Sequence, residues 1–332
     1  MPATIDSPID LFSMPKQPPV IAIVVPCYNE QEVLPLSVPR LLGIITRMAE
    51  EGIASADSYI MLANDGSRDT TRDIIAGMHA ADPVHVKGLS LSRNRGHQYA
   101  LLAGLTSVAK RCDAAVSIDA DLQDDPDAII EMVKLFNAGA EIVYGVRSSR
   151  KTDTAFKRIT AHAFYRFQRV MGLETVYDHA DYRLMSRRAV GMLLSYGESN
   201  LFLRGIVPQI GLTTAVVTYE RAARAAGESK YPLTKMLNFS IDGITSFSAR
   251  PMRYIFLIGL ILLLVDIAIG IWVLVSHFSG HAISGWSSLM LSIWFLGSLI
   301  LIALGIIGEY VGKIFIEVKH RPRFFVSEEL FD

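Results

Sequence analysis

The stretch Ile118–Pro126, IDADLQDDP, places Asp119, Asp121, Asp124 and Asp125 directly after the apolar run Ala114–Ile118. Asp119 and Asp121 stand two residues apart. If the chain leaves a strand there in extended conformation, alternate side chains face one way and both carboxylates can reach one ligand. Hard carboxylate oxygens suit Mg²⁺ or Mn²⁺, and such cations commonly take one or two protein carboxylates while phosphate oxygens and water fill the remaining positions. A substrate diphosphate bridged in this way would have its charge offset as it leaves. The competing account is a solvated acidic turn, with Asp124 or Asp125 capping a helix that Pro126 opens. A D-x-D pattern alone is weak, so the elements that position it decide.

From Val20 onward, apolar runs of strand length alternate with helical patterns. The spacing predicts strands near 20–26, 58–64, 85–91, 114–119 and 141–146, and a last one at Thr213–Tyr219. Helices are expected near 31–50, 69–80, 97–110 and 127–137. Continuous apolar strands separated by helices imply an α/β domain with a mostly parallel sheet covered on both faces. In such sheets ligands sit beyond the carboxyl ends of the strands. The polar motifs fall there: PCYNE (26–30), NDGSRDT (64–70), SRNRGHQ (92–98) and the acidic stretch each follow or end one strand. No G-x-G-x-x-G follows the first strand and no G-x-x-x-x-G-K-[ST] occurs, which argues against a dinucleotide fingerprint or a P-loop.

The C-terminal third differs in kind. Tyr254–Val275 is 22 residues with the single charge Asp266, and Leu289–Ile307 is 19 residues with none. Each is long enough to span about 30 Å of hydrocarbon. The connecting loop, His277–Ser288, has no Lys or Arg, whereas Arg250, Arg253, Lys313, Lys319, Arg321 and Arg323 flank the pair. By the positive-inside rule both termini are expected in the cytoplasm, and no apolar segment near the N-terminus suggests a signal peptide. Asp266 within a span is costly unless shielded, and Gly297, Gly305 and Gly308 allow close helix approach; both point to a homo-oligomer. Cys27 and Cys112 are the only cysteines, which fits reduced thiols and excludes a disulfide framework. A net charge of −1 excludes a generally basic nucleic-acid binder.

VVPCYNE, NDGSRDT, RNRGHQYALLAG, IDADLQDDP, DYRLMSR (181–187) and GESKY (227–231), in this order and followed by two apolar spans, resemble family 2 glycosyltransferases with a GT-A domain. Within these the chain is most similar to the polyisoprenyl-phosphate glycosyltransferases, namely bactoprenol glucosyltransferases and dolichyl-phosphate mannose synthases. The resemblance implies a flexible lead-in (1–18), a cytoplasmic GT-A domain (19–220) and a basic amphipathic juxtamembrane segment (221–253). A transmembrane hairpin (254–312, spans 254–275 and 287–310) and a cytoplasmic tail (313–332) complete the expected layout at the inner membrane.

It also implies roles. Pro26, Tyr28, Glu30, Asp65 and Asp119 would hold a nucleotide sugar, and Asp119 with Asp121 would anchor Mg²⁺ or Mn²⁺. Asp181, or Asp178, would be the carboxylate beside the acceptor. As a lipid monophosphate has a second pKa of about 6, it needs little help from a base, and that carboxylate would instead orient the acceptor or stabilise developing positive charge on the sugar. Arg204, Arg224, Ser229 and Lys230 would bind the acceptor phosphate or the diphosphate, since Arg and Lys suit such anions. Arg93 and Arg95 fit either phosphate contact or surface ion pairing. FKRITAHAFYRFQRVM (156–171) and the pattern from Leu233 to Phe247 are amphipathic helices expected at the bilayer surface. The implied reaction transfers one hexose, glucose from UDP-glucose first, to polyprenyl phosphate with inversion. GDP-mannose, UDP-GlcNAc, UDP-galactose and UDP-aminoarabinose are the alternative donors. A processive synthase is disfavoured because Trp272, Trp286 and Trp294 all lie in or beside the hairpin, leaving no Q-x-x-R-W motif in the catalytic region. A non-catalytic nucleotide-sugar-binding scaffold remains the alternative of another class.

Overall fold

The computed structural model describes residues 17–147, 179–198, 203–220, 250–279 and 285–331. The chain divides into two compact units, one built from the N-terminal part with 321–332, the other from the apolar helices. The expected amphipathic helices at 156–171 and 233–247 lie outside the described residues.

The first unit is built on one mixed sheet. Its strands are β1 (Ile21–Cys27), β2 (Tyr59–Asn64), β3 (Val86–Leu91), β4 (Ala114–Ser117), β5 (Ile142–Arg147), β6 (His179–Ser186), β7 (Thr214–Tyr219) and β8 (Val326–Leu330). Their order is β7-β5-β6-β4-β1-β2-β3-β8. β3, β2, β1 and β4 run parallel, and β5 pairs with β7 in parallel. β6 is antiparallel to both β4 and β5, and β8 is antiparallel to β3. Every residue of β1 and β2 is buried, as the continuous apolar runs require of strands covered on both faces.

The covering helices are α1 (Leu34–Glu50), α2 (Thr71–Ala81), α3 (His97–Val108), α4 (Ala128–Asn137) and α5 (Arg187–Ser195). α1 buries Leu34, Val38, Leu41, Ile45 and Met48, the three-to-four spacing of an amphipathic helix. Each such side chain, fully buried, contributes about 1.5–3 kcal/mol. α3 buries Ala100–Leu105 almost all round because it lies directly on the sheet. A Cβ at Gly104 would sit 2.5 Å from Val24 Cγ1, so only glycine lets the helix approach β1 this closely, and any larger residue would push it away.

Three local expectations change. β4 ends at Ser117 rather than Asp119; beyond it Leu122 N donates to Asp119 O at 3.2 Å, so the backbone turns through the acidic stretch instead of staying extended. β6 forms from a polar-looking motif whose Tyr182 and Leu184 are buried while Arg183 is taken in as a charge. β8 arises within the expected tail: VSEEL has no apolar run, and its charged side chains, Glu329 exposed and Glu328 half-buried against Arg72, suit an edge strand.

The second unit holds α6 (Arg250–Phe278, 29 residues) and α7 (Trp286–Val318, 33 residues). At 1.5 Å per residue these run to about 44 and 50 Å. Their windows Pro251–Ile269 and Phe295–Val318 have mean hydropathies of 2.4 and 2.1 and are unburied, and Phe256 and Leu301 are each 70% exposed. Both helices are long and apolar enough to cross a membrane.

Candidate active site at the carboxyl ends of the strands

Strand order reverses between β1 and β4, the position where an open α/β sheet leaves a crevice at its carboxyl edge. PCYNE and the acidic turn leave the sheet on either side of that point, since β1 and β4 are paired neighbours up to Val24 and Ser117.

The loops after β1 and β2 are knitted together. Asn29 takes a left-handed conformation at φ 55°, tolerated by asparagine; its amide donates to Ser67 Oγ at 3.0 Å and its Oδ1 accepts from Arg68 N at 2.9 Å. Asp65 N donates to Cys27 O at 2.8 Å, and Glu30 N donates to Thr71 Oγ1 at 2.8 Å. Pro26 is buried in β1, Glu30 is half-buried, and Tyr28 is 39% exposed at the rim. Gly66 has φ +62°, and a Cβ there would fall 2.6 Å from the Arg93 carbonyl carbon. The turn after β2 therefore rests against the turn after β3, and glycine is required on both counts.

Asp65 is buried, and its two carboxylate oxygens accept from the amides of Arg95 and Gly96, each at 2.7 Å. Burial pushes its carboxyl up, while these two amides pull it back down. The same turn starts α3, so Asp65 sets the place of His97. His97 Nε2 lies 3.4 Å from Asp119 Oδ1, a contact that joins the third and fourth strand ends. Arg95 is neither paired with a carboxylate nor free: its Nε donates to Arg323 O at 2.8 Å and its guanidinium lies over Tyr99.

Asp119 keeps 47% of its side chain exposed. Burial raises its pKa, the His97 imidazole beside it lowers it, and the nearby carboxylates of Asp181, Asp124 and Asp121 raise it further. Asp121 Oδ1 accepts from Gln123 N at 3.2 Å. Of the two expected caps, Asp125 caps the turn that Pro126 opens ahead of α4, and Asp124 does not. Asp124, 2% exposed, takes Arg147 in a two-pronged contact of 3.0 and 3.2 Å. Asp125 Oδ1 accepts from Asp127 N at 3.1 Å, and its carbonyl accepts from Tyr182 Oη at 2.8 Å. The acidic turn is thus clamped on its far side, leaving Asp119 and Asp121 on the near side.

Asp181 on β6 completes the cluster. Ser117 Oγ donates to its carbonyl at 2.6 Å. Its carboxylate accepts from Arg183 Nη2 at 2.6 Å and from Arg204 Nη2 at 3.2 Å. Burial alone would raise this carboxyl, but the two guanidinium charges outweigh it and hold it at about 2. Arg183 is 1% exposed and Arg204 39%. Arg204 is held in a short helical turn, Leu203–Ile206, whose first amide donates to Gln98 Oε1 of α3 at 3.1 Å.

Of the residues read from the sequence, Pro26, Tyr28, Glu30, Asp65, Asp119, Asp121, Asp181 and Arg204 fall at or beside these strand ends. Asp178, Arg224, Ser229 and Lys230 lie outside the described residues. His97, Arg183 and the Asp124–Arg147 clamp were not singled out. His97 and Arg183 lie within the motifs RNRGHQYALLAG and DYRLMSR without a role of their own being read there; Arg147 gave no signal, because a buried cation reads like any surface one.

Among the described residues no group of three or more His, Cys, Asp or Glu is arranged for a metal. Asp119 and Asp121, with the carboxylates of Asp124 and Asp181 nearby, fit a hard divalent cation whose remaining positions are filled by phosphate and water.

A profile described as "Glycosyl transferase family 2" matches residues 22–193. An uncharacterised glycosyltransferase of Bacillus subtilis, YkoT, is 48% identical over 96% of this chain and 94% of its own length. A bactoprenol glucosyl transferase of Shigella phage SfV is 39% identical over 93% of this chain and 98% of its own. Among solved structures, mannosyltransferase PcManGT of Pyrobaculum calidifontis, in complex with GDP-Man and Mn²⁺, aligns over 95% of this chain and 89% of its own at 14% identity, with a TM-score of 0.44.

Proposed function

The chain belongs to glycosyl transferase family 2, and we propose that it moves a single hexose, glucose from UDP-glucose, onto polyprenyl phosphate at the cytoplasmic face of a membrane. The relatives named bactoprenol glucosyl transferase at 38–39% identity support both the lipid acceptor and the sugar. Two apolar helices able to span a bilayer, flanked by Arg and Lys while their connecting loop has neither, support the site and its sidedness.

The observation that carries the mechanism is the division of charge at the strand ends. On one side, Asp119 lies beside His97, with Asp121 two residues further along the acidic turn. On the other, Asp181 binds two guanidinium groups and leaves Arg204 partly exposed. Asp119 and Asp121 would hold Mg²⁺ or Mn²⁺, which when bound offsets charge on the departing nucleoside diphosphate. Tyr28, with Pro26 and Glu30 beside it, is placed to cover the base and ribose. Asp65 spends one lone pair on each backbone amide and keeps a second on each oxygen for a nucleotide donor group.

In the reaction a lipid phosphate oxygen forms a bond to the anomeric carbon as the bond to the nucleoside diphosphate breaks, and the electron pair leaves with the diphosphate. One such displacement inverts the anomeric centre. A carboxyl held at about 2 is a poor proton acceptor at neutral pH, and an acceptor whose second pKa is about 6 is already largely the dianion. Asp181 therefore acts by aiming Arg204 at the incoming phosphate. Arg224, Ser229 and Lys230, read from the sequence, are the further groups assigned to the acceptor phosphate or the diphosphate, and Asp178 remains the alternative to Asp181.

Incubating purified protein with radiolabelled UDP-glucose, undecaprenyl phosphate and Mn²⁺ should give organic-soluble glucose in the anomeric configuration opposite to the donor's. A folded protein that forms no lipid-linked sugar with any of the five donor types overturns the transfer, and retention of configuration overturns the single displacement.

A further inference from the structure

The segment after the second apolar helix is fastened to the same turn that sets Asp65 and His97. Ser92 N donates to Phe325 O at 2.9 Å, and Ser327 Oγ donates to Ser90 O at 3.0 Å. Arg323 does more than precede an edge strand. Its carbonyl accepts from Arg95 Nε at 2.8 Å, and its own guanidinium donates to the carbonyl of Tyr196 at the end of α5. Arg95 in turn supplies one of the two amides that hold the Asp65 carboxylate.

A strand that merely covers the open edge of β3 needs only its ladder. Here the contacts continue past the ladder, onto the exposed turn between β3 and α3. That turn contains Gly96 at φ +98° and carries exposed side chains at Ser92, Arg93 and Asn94, so it has little packing of its own to fix it. A polar turn of this kind takes one conformation only if its hydrogen bonds are met by something rigid. The far end of β8 provides the rigidity: Lys87 Nζ donates to Phe331 O at 2.6 Å, and Arg111 lies 3.7 Å from the centre of the Phe331 ring.

We infer that Arg323 and β8 are positioning elements of the donor side: by holding Arg95 they fix the 92–97 turn, and through it the Asp65 carboxylate and the imidazole beside Asp119. This rests on the nucleotide-sugar reading above. By linkage, if the docked strand favours the donor-binding form, donor must favour the docked strand by the same factor.

The test uses the full chain in detergent. Hydrogen exchange of the Val326–Leu330 amides is followed with and without UDP-glucose and Mn²⁺, and KM is measured separately for UDP-glucose and undecaprenyl phosphate in Arg323→Ala and Arg323→Lys. Donor should slow exchange in β8 severalfold. Arg323→Ala should raise the KM for UDP-glucose about fivefold with the lipid KM unchanged, and Arg323→Lys, which keeps a donor for the Tyr196 carbonyl, should recover most of it. Exchange that is indifferent to bound UDP-glucose, exchange that quickens because Arg95 has left Arg323 for the diphosphate, or equal KM values in Arg323→Ala and parent would each overturn the inference. A parent protein that binds no nucleotide sugar at all fails the functional reading instead, before any variant is compared.

Discussion

Asp181→Asn separates an orienting carboxylate from a catalytic base. The substitution keeps the side chain's shape and removes its charge, leaving Arg183, 1% exposed, with its guanidinium uncompensated. The carboxyl is held at about 2 against an ordinary 3.8, and each tenfold in acidity is worth about 1.4 kcal/mol. The fold therefore favours the ionised form by about 2–3 kcal/mol. Because the folded-state value is depressed, that contribution is present in full above pH 4 and is withdrawn as pH falls towards 2. Losing one partner of a buried pair costs about 3–5 kcal/mol, so the two routes meet near 3 kcal/mol. For a unit of this size that is roughly a 6–12 °C fall in melting temperature.

The right probe is a thiol-reactive dye. Cys27 and Cys112 are both buried in the sheet unit, whereas all three tryptophans lie in or beside the apolar hairpin and would report the wrong part of the chain. Asp181→Asn with Arg183→Met should recover much of the melting temperature, since it leaves no fully buried charge stranded, and Arg204, the other partner, is 39% exposed. The acid limb of the rate profile should stay near pH 6 in any Asp181→Asn enzyme that retains turnover, because that limb belongs to the lipid phosphate. A melting temperature within 2 °C of the parent would refute the electrostatic account of the pair. An acid limb that vanishes with the carboxyl would restore the base.

Three further outcomes are expected. Asp121→Ala should abolish turnover while the dye-detected melting temperature stays put, because this side chain is half-exposed and its contact to Gln123 N is local; unchanged turnover would exclude the metal role. Gly66→Ala forces a side chain into a left-handed position against the Arg93 backbone, a strain of about 1–3 kcal/mol, and calorimetric titration should show UDP-glucose affinity falling tenfold or more. Arg224→Ala and Lys230→Ala should raise the requirement for undecaprenyl phosphate in kinetic assays, and an effect confined to nucleotide affinity would contradict their placement on the acceptor side.

The parallel half of the sheet was legible because β1 and β2 are apolar on both faces, a pattern that surface chains do not sustain. The site followed from it: four polar motifs at consecutive strand ends must converge whatever the details of the loops. What stayed hidden was set by pairing rather than by pattern. β6 carries Asp181 and Arg183 through a buried position, which looks like loop sequence until each charge is seen to neutralise the other. β8 is five residues with two glutamates, and only its docking against β3 makes it a strand. The extended D-x-D expected from spacing gives way to a turn, because β4 runs out of ladder at Ser117. Even so, that turn leaves Asp119 and Asp121 on the open side, since the Arg147 clamp on Asp124 pulls the rest of the acidic stretch into the protein. Of the carboxylates in that stretch, the inward one is already taken by Arg147, so the more exposed Asp119 and Asp121 are the two that a cation bridging to a diphosphate would use.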